Sequence, residues 1–448
     1  MKRSMGPERV LAVGFLVLIG LGTALLALPA ATVSGQSIGL FDALFTATSA
    51  VCVTGLVAVD TGTVFSLLGQ MVLLLLIQLG GLGFMIFATL IMGALGKRIS
   101  LSGRVVLRES MSASSLAGLT QLTRVYGLLA LLVEGLGAAL LAVHFVPMLG
   151  WSKGLWYSVF HAVSAFCNAG FDLLGGFRSL TGFRQDPLVL TTISGLILLG
   201  ATGFPVIFEL LRHRLHWEKL SLHARVALVT SGLLLLAGTA GFALTEWRNP
   251  ATLGAADMHA GHRLLNAFFQ SVTMRTAGFN SVDLAQMGEG AKLISVMLMF
   301  VGASPASTGG GVKTTTVAVI WLIMLSVIRG HKDVNVMGRR LPTELMRRSL
   351  ALLMIYLLLL LAAVLTLTVL ETGRFSAIDM TFEATSALAT VGVSAVGSPN
   401  LRPVSRAVLI PVMFLGRVGP LTLASALARR QQDVQNRIRY PEENLMIG

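Results

Sequence analysis

The stretch FTATSAVCVTG, Phe45–Gly55, decides the fold because its pattern recurs three more times along the chain. It is rich in small, apolar and hydroxyl side chains and ends on a glycine. It is also too short to cross a bilayer, which takes about 20 residues of helix. The same frame returns as FHAVSAFCNAG (Phe160–Gly170), FFQSVTMRTAG (Phe268–Gly278) and FEATSALATVG (Phe382–Gly392).

The four copies are in register and recur at intervals close to a quarter of the chain length. A phenylalanine stands ten residues before each final glycine. A serine stands six residues before it in three copies, at Ser49, Ser164 and Ser386, and Val272 takes that place in the third copy. A fixed internal period is the signature of a repeat architecture, so we predict four copies of one structural unit.

The composition of the chain is typical of a membrane protein. Of the 448 residues, 54% are hydrophobic and 12% are charged, and the mean hydropathy is +0.79. An average soluble domain has about 25% charged residues. Apolar runs long enough to span a bilayer recur along the sequence, which predicts a polytopic membrane protein. The runs are Val10–Ala31, Met71–Leu95, Val125–Leu149, Leu188–Leu211, Leu350–Leu370 and Ala407–Ala428, with a weaker run at Ala227–Leu244 and an interrupted one at Leu293–Ile328.

The net charge of +13 is distributed in blocks, which argues against a nucleic-acid partner. Most of the 34 Lys and Arg residues lie in five segments between apolar runs, whereas residues 32–63 contain none. Cytoplasmic connectors are enriched in basic residues, so both chain termini are predicted to be cytoplasmic. The run Arg339–Arg348 is predicted to be such a connector, with contact to anionic lipid or a cytosolic partner as the alternative. The five segments are 1–9, 97–124, 212–225, 329–348 and 429–439.

Each short repeat element lies between two spanning runs and has about half the length that a membrane helix needs. Non-helical backbone is tolerated at membrane depth only where protein surrounds it or where it lines a wet cavity. We therefore predict four re-entrant loops around a central pore, each a half-helix followed by an extended return segment. The negative C-terminal end of a half-helix favours a cation. Carbonyl oxygens of the return segments would replace the hydration shell of that ion.

Glycine suits such a return segment because it adopts backbone angles that other residues resist and lets the backbone approach an ion closely. The alternative is that these glycines only cap or pack helices, as is common in membrane bundles. Four glycines in register favour an ion-selective filter whose carbonyls would hold the only bound metal ion. The predicted filter residues are Val53, Thr54, Gly55, Leu56, Asn168, Ala169, Gly170, Phe171, Thr276, Ala277, Gly278, Phe279, Thr390, Val391, Gly392 and Val393.

The motifs resemble those of the Trk/Ktr/HKT superfamily of potassium transporters over essentially the whole chain. The resemblance rests on VTGL, NAGF, RTAGFNS and TVGVS at the four glycines, on GASPASTGGGVKTTT (Gly302–Thr316) and on LGRVGPLT (Leu415–Thr422). The chain is most similar to the bacterial Ktr membrane subunit. Only the glycine is shared with the TVGYG filter of potassium channels.

The resemblance implies an all-α polytopic membrane protein. Four M1–P-loop–M2 repeats would surround a central pore with eight transmembrane helices, and the M2 helix of the third repeat would be broken. The repeats would be residues 1–96 with a pore loop at 39–57, 97–220 with a pore loop at 155–173, 221–335 with a pore loop at 263–282 and a gate loop at 302–313, and 336–448 with a pore loop at 377–395 and a short cytoplasmic tail.

The third repeat contains Gly302–Lys313, in which glycine, serine and Pro305 interrupt an apolar run. A phosphate-binding loop does not fit, because Val312 separates Gly311 from Lys313. The resemblance implies a movable gate beneath the filter, and that Arg417 faces the conduction path as cation barrier and gate latch. The predicted gate residues are Gly302, Ser304, Pro305, Ser307, Thr308, Gly309, Gly310, Gly311, Lys313 and Arg417.

Three charged residues lie well inside apolar runs, away from their ends, where charges are expensive and usually functional. Arg417 lies too far inside its run to snorkel readily to the interface. Lys313 either lines the path or anchors the loop, and Glu134 either pairs with a basic group or faces water. Asp172 and Asn280 follow their repeat glycines by two residues and are candidates for the pore entrance.

These observations predict a potassium-selective ion-translocating subunit of a bacterial potassium uptake system, a channel-like pore in the inner membrane. Sodium dependence is left open, and a sodium-permeable or non-selective monovalent cation transporter of the same fold is the alternative. An embedded enzyme is the alternative of another class, and no Ser-His-Asp, metal-ligand or dinucleotide pattern supports it. No cofactor is predicted, and Cys52 and Cys167 are predicted to pack rather than to form a disulfide framework. The resemblance implies a homodimer and a cytosolic nucleotide-binding regulatory ring formed by a separate chain.

Overall fold

The computed structural model describes residues 7–83, 119–331 and 333–419, and its regular structure is mainly helical. The helices of the first two repeats are α1 (Pro7–Leu26), α2 (Leu40–Val51), α3 (Thr61–Val64), α4 (Leu67–Leu82), α5 (Leu119–Leu149), α6 (Trp151–Phe166), α7 (Pro187–Thr202) and α8 (Phe204–Arg212). Those of the last two are α9 (Leu222–Glu246), α10 (Ala260–Thr273), α11 (Glu289–Phe300), α12 (Thr314–Ile328), α13 (Thr343–Leu370), α14 (Ala377–Leu388) and α15 (Pro403–Val418).

The first helix of every repeat, α1, α5, α9 or α13, is long and apolar. Within the described residues these four helices can cross a membrane by length and composition, and α7 with α8 counts as a fifth span if the bent pair is one. Less than a third of each apolar window is buried inside the protein, so most of its side chains face outward. An apolar surface of this extent is what a lipid-facing helix needs. The prediction of a polytopic helical membrane protein is thereby confirmed.

The half-helices α2, α6, α10 and α14 carry the quoted repeat and pack against the long helix that precedes each of them. Phe45, Phe160 and Phe382 are fully buried in this packing. In the third repeat Phe269 takes this buried place, and Phe268 is only half-buried. The buried face of the third half-helix is thus shifted by one residue toward the repeat glycine relative to the frame that the sequence suggests.

The helices that follow the return segments end at glycines in repeats one, two and four. Gly83, Gly203 and Gly419 have positive φ angles of 80°, 93° and 88°, which directly end α4, α7 and α15. The run Leu188–Leu211, predicted as one spanning helix, is therefore two helices at 99° to each other. The left-handed backbone at Gly203 and the proline two residues later explain this bend. The runs Met71–Leu95 and Ala407–Ala428 extend beyond the described residues.

In the third repeat α11 ends at Phe300 and α12 begins at Thr314. The backbone between them is non-helical, with Val301 and Val312 forming a parallel bridge at its base. This stretch coincides with the predicted gate loop.

One small hairpin departs from the all-α prediction. Strand β1 (Asn335–Val336) pairs antiparallel with β2 (Arg339–Arg340) in the basic connector before α13. Met337 and Gly338 between them both have positive φ angles, 48° and 76°, as a tight two-residue hairpin turn requires.

Candidate functional site

The four return segments share an unusual backbone pattern. Each repeat glycine has a positive φ, and the residue two positions before it, which is never glycine, also has one. Three of these preceding residues are β-branched, a residue class for which a positive φ is an outlier. Such strained backbone persists only where the surrounding structure enforces it, and it concentrates at functional sites. The angles are 56° at Val53 and 94° at Gly55, 57° at Asn168 and 69° at Gly170, 71° at Thr276 and 89° at Gly278, and 52° at Thr390 and 94° at Gly392.

The four glycines lie against one another in a closed ring that follows the order of the repeats. A Cβ atom added at any of them would collide with the backbone of the next return segment. The added atom would lie 2.5 Å from the Ala169 oxygen at Gly55, 2.6 Å from the Gly278 Cα at Gly170, and 2.7 Å from the Val391 oxygen at Gly278, and it would overlap the Thr54 oxygen at Gly392. The last contact returns to the first repeat, so the four segments enclose one central axis.

A hydroxyl side chain on every half-helix holds the return segment that follows it. In repeats one, two and four this hydroxyl belongs to the serine of the sequence pattern, and in the third repeat Thr273 replaces it because of the one-residue shift. The sequence pattern contains these serines, but it does not predict the hydrogen bonds that they form. The bonds run from Gly55 N to Ser49 Oγ (3.0 Å), from Ser164 Oγ to the Phe171 oxygen (2.7 Å), from Thr273 Oγ1 to the Phe279 oxygen (2.5 Å) and from Ser386 Oγ to the Val393 oxygen (2.6 Å).

Every predicted filter residue except Gly392 is buried. The side chains of Val53, Leu56, Phe171 and Phe279 belong to the main hydrophobic core. These four side chains are therefore packed against other apolar residues of the core.

The stretch predicted as a gate loop lies directly against this ring. A Cβ atom at Gly309 would collide with Thr276 Oγ1, and one at Gly310 with Thr390 Oγ1. Thr308 Oγ1 donates to the Phe166 oxygen at the end of the second half-helix, at 3.0 Å. The loop therefore crosses the end of the ring at which the half-helices terminate.

The same loop is fastened to the bend between α7 and α8. Ser304 N donates to the Ala201 oxygen at 3.0 Å and Thr308 N to the Gly200 oxygen at 3.2 Å. In return, the amide N of Phe204 donates to the Ala306 oxygen at 3.1 Å. The bend that the sequence did not indicate is thus the place where the loop docks.

Arg417 joins three parts of the molecule. Its guanidinium donates to the carbonyl oxygens of Thr308 in the loop and of Gly80 in α4, and to the Gly81 oxygen at 3.1 Å. Within the described residues it makes no ion pair with a carboxylate. Its positive charge is therefore held by backbone oxygens beside the ring.

Lys313 fastens the loop to itself. Its Nζ donates to the Gly309 oxygen at 2.7 Å, four residues earlier in the chain. Of the two alternatives for Lys313, this contact agrees with an anchor for the loop.

Glu134 on α5 is buried and pairs with an amide. Gln78 Nε2 donates to both of its carboxylate oxygens, at 3.0 and 3.1 Å, and Cys167 Sγ lies 3.9 Å from Oε1. Among the described residues it forms no ion pair with a basic group. The carboxylate links α5 to α4 behind the second return segment. Cys167 and Cys52 are both free and buried.

The two residues predicted at the pore entrance use their side chains to turn the chain. Asp172 Oδ1 accepts from Leu174 N at 2.9 Å, and Asn280 Nδ2 donates to the Val282 oxygen at 3.0 Å. Further out, Arg184 Nη2 lies 2.6 Å from Asp257 Oδ2, and this hydrogen bond lowers the pKa of the aspartate. These outer contacts connect the second and third repeats.

The fold and the site define a class: a polytopic helical membrane protein in which four repeated segments meet around one axis. Comparison with known proteins identifies the family. A family of cation transport proteins, TrkH, matches residues 5–438, so the chain belongs to the TrkH family. The predicted Trk/Ktr membership is confirmed.

Individual relatives agree with this assignment. The chain is 39% identical to the potassium/sodium uptake protein NtpJ of Enterococcus hirae, covering 100% of this chain and 98% of that protein. It is 38% identical to the Ktr system potassium uptake protein B of Bacillus subtilis over 99% and 97% of the two chains, and 40% identical to that of Vibrio alginolyticus over 100% and 96%. The crystal structure of the potassium transporter TrkH from Vibrio parahaemolyticus has the same fold, with a TM-score of 0.70 at 18% identity, covering 94% of this chain and 85% of that one.

Proposed function

We propose that the chain is the potassium-selective ion-translocating subunit of a bacterial potassium uptake system, acting in the inner membrane. The observation that carries this proposal is the closed ring of four strained return segments, each with a glycine that excludes any side chain. Carbonyl oxygens arranged around one axis can replace the hydration shell of a potassium ion. The four half-helices end at this ring, and their negative ends favour a cation there. Relatives of similar length are named as potassium uptake proteins.

Rubidium uptake into proteoliposomes tests the proposal. Purified protein should carry rubidium, and potassium should compete far better than sodium. Uptake in which sodium competes equally would favour the alternative, a sodium-permeable or non-selective monovalent cation transporter of the same fold. The name of the Enterococcus hirae relative, which includes sodium, makes this alternative specific. Repeating the assay with and without a sodium gradient measures sodium dependence.

We propose that residues 302–313 act as an intramembrane gate with Arg417 as its latch. The loop lies under the ring, and small residues such as Gly309 and Gly310 leave it close to Thr276 and Thr390. The guanidinium of Arg417 holds the loop through Thr308 and adds a positive charge near the axis, which opposes the passage of a cation. In this arrangement α11 and α12 are one broken M2 helix, and the four repeats contain eight transmembrane helices.

We propose that the protein is a homodimer with both termini in the cytoplasm and that a cytosolic nucleotide-binding ring of separate chains regulates it. The resemblance to Ktr and Trk membrane subunits supports the dimer and the ring, and the distribution of basic segments supports the orientation. Light scattering of the purified protein would test the dimer, since a monomeric mass in several detergents would contradict it.

A further inference from the structure

A second set of side-chain contacts joins three half-helices to their return segments, a few residues beyond the glycines. The most complete belongs to Glu383 on α14. Its Oε1 accepts hydrogen bonds from Ser394 Oγ at 2.6 Å, Ala395 N at 2.9 Å and Val396 N at 3.4 Å. One carboxylate oxygen therefore holds three consecutive residues of the chain that leaves the ring.

The burial of Glu383 makes this contact unusual. The residue is 0% exposed, it forms no ion pair among the described residues, and its Oε2 has no hydrogen-bond partner there. A buried carboxyl group without a cationic partner is unfavourable for folding. An apolar residue in this place would leave the Ser394 hydroxyl and the Ala395 and Val396 amides without their acceptor, so Oε1 is the atom that holds the outer end of this segment.

The second repeat has an equivalent contact made by His161. Its Nδ1 lies 2.7 Å from the Tyr157 oxygen and must donate to it, which leaves Nε2 of the neutral ring as an acceptor. Nε2 accepts from Leu173 N at 3.4 Å, three residues beyond Gly170. In the fourth repeat Ala395 stands at this same distance from its glycine. Two chemically different side chains thus hold the same backbone position.

The third repeat makes the contact through Gln270, whose Nε2 donates to Ser281 Oγ at 3.4 Å. In all three repeats this residue stands three positions before the hydroxyl that holds the glycine segment, so both lie on one helix face. The first repeat differs, because Thr46 occupies this place and its buried Oγ1 has no partner among the described residues. The pairs are His161 and Ser164, Gln270 and Thr273, and Glu383 and Ser386, with Thr46 and Ser49 in the first repeat.

We propose that Glu383, His161 and Gln270 are positioning residues that determine ion selectivity by fixing the outer ends of three return segments. The inference rests on the proposed filter. A hydroxyl bond holds each segment near its glycine, and the second contact stops the same segment from spreading beyond it. The ring then cannot relax around an ion of the wrong size or field strength, while the first repeat, which lacks the second contact, is the segment that yields.

The test compares variants by the ratio of sodium to potassium concentrations that halve rubidium uptake into proteoliposomes. Glu383→Ala should lower this ratio about two- to tenfold, the effect of losing one or two ordinary hydrogen bonds. Glu383→Gln should restore it to near the wild-type value, because the amide oxygen still accepts from Ser394 and Ala395. The matched control is Thr46→Val, which removes an unpartnered hydroxyl at the equivalent place and should leave the ratio unchanged. Melting temperature and elution profile report folding separately from selectivity.

A folded Glu383→Ala protein with an unchanged ratio overturns the proposal, as does a Thr46→Val protein with an equal loss. If Glu383→Ala does not fold, His161→Phe decides, because it keeps a ring among Phe145 and Phe279 but removes the acceptor for Leu173 N. His161→Phe should lower the ratio by a similar factor. If neither Glu383→Ala nor His161→Phe folds, these residues have a structural role only and the proposal is overturned. Gly392→Ser separates the two proposals. If Gly392→Ser lowers the ratio and Glu383→Ala does not, only the present inference fails. If a folded Gly392→Ser protein keeps the wild-type ratio, the proposed filter is wrong.

Discussion

The backbone of Gly55 leaves no room for a side chain. Its φ of 94° disfavours any L-residue by about 1–2 kcal/mol, and an added Cβ would lie 2.5 Å from the Ala169 oxygen. Gly55→Ser should therefore displace the neighbouring carbonyl and reduce the preference for potassium over sodium about tenfold, since 1.4 kcal/mol corresponds to that factor. Competition of each ion with rubidium uptake measures it. Gly195→Ser is the control, because open space surrounds that helical glycine. Equal preferences in the two variants would contradict the filter assignment for the first repeat.

Arg417 places a full positive charge near the proposed path, bound only by backbone oxygens among the described residues. A unit charge about 4 Å away opposes a cation by about 4 kcal/mol at an effective dielectric constant of ~20. Arg417→Gln should therefore raise rubidium flux, by about tenfold for each 1.4 kcal/mol of barrier removed. Arg417→Lys keeps the positive charge, but its single ammonium group cannot donate to several carbonyls as the planar guanidinium does. This variant therefore separates the effect of the charge on cation passage from the effect of the hydrogen bonds that hold the loop. A folded Arg417→Gln protein with lower flux would show that the arginine is structural.

Glu134 and Gln78 form a buried pair in which each satisfies the other. Removing one partner leaves a buried polar group unpaired, which should destabilise the protein by about 1–3 kcal/mol, whereas removing both is less harmful. We expect Glu134→Leu and Gln78→Leu each to lower the melting temperature in detergent and the double variant to lose less than their sum. Additive losses would mean that the two side chains act independently.

Single residues also show what the sequence can and cannot predict. The glycines and three of the four hydroxyl residues stand at fixed positions in the repeats, so the pattern alone finds them. Thr273 escapes the pattern because it stands five residues before its glycine instead of six, which a fixed frame cannot detect. Glu383 and His161 escape it because their chemistry differs between repeats. A polar residue three positions before each hydroxyl is the signal that finds them.

At the scale of elements, the loop 302–313 is held by contacts of two kinds. It donates to and accepts from the backbone at the bend before α8, and Arg417 grips it through Thr308. Deleting part of Ala306–Gly310 should raise rubidium flux and weaken the effect of a cytosolic partner, because the segment under the ring is then too short to occlude it. If the loop and the arginine form one latch, the rubidium flux of the deletion combined with Arg417→Gln should be only slightly higher than that of either single variant. A folded deletion protein with reduced flux means that the loop is structural.

The breaks in the second helices explain why element boundaries were harder to predict than the existence of the elements. Hydrophobic periodicity runs through Leu188–Leu211 without interruption, so it predicts one helix. The backbone angle of Gly203 overrides it, and the short signal GFP, glycine with proline two residues later, is easily overlooked within an apolar run. Between α11 and α12, by contrast, several glycines and a proline stand together, which is why the sequence predicts non-helical backbone there.

At the scale of the whole molecule, the internal period gives the number of repeats, whereas their arrangement in space depends on contacts between residues more than a hundred positions apart. The ring order follows from the packing of Gly55, Gly170, Gly278 and Gly392, each against a neighbouring segment. No local pattern encodes these contacts. The basic segments predict an orientation, and this makes the position of the molecule in the membrane testable.

The proposed orientation puts Ser37 outside the cell and Met337, at the tip of the small hairpin, in the cytoplasm. Both residues are exposed, and the native cysteines Cys52 and Cys167 are buried, so the wild-type protein serves as the unlabelled control. An impermeant thiol reagent added to intact cells should label Ser37→Cys and leave Met337→Cys unlabelled until the membrane is opened. Of the longest basic segment, 97–124, residues 97–118 lie outside the described residues, so the hairpin is the better cytoplasmic probe. Labelling of Met337→Cys in intact cells would reverse the orientation. It would also place the loop 302–313 on the outer side of the ring, where it could not act as a gate at the cytoplasmic end of the pore.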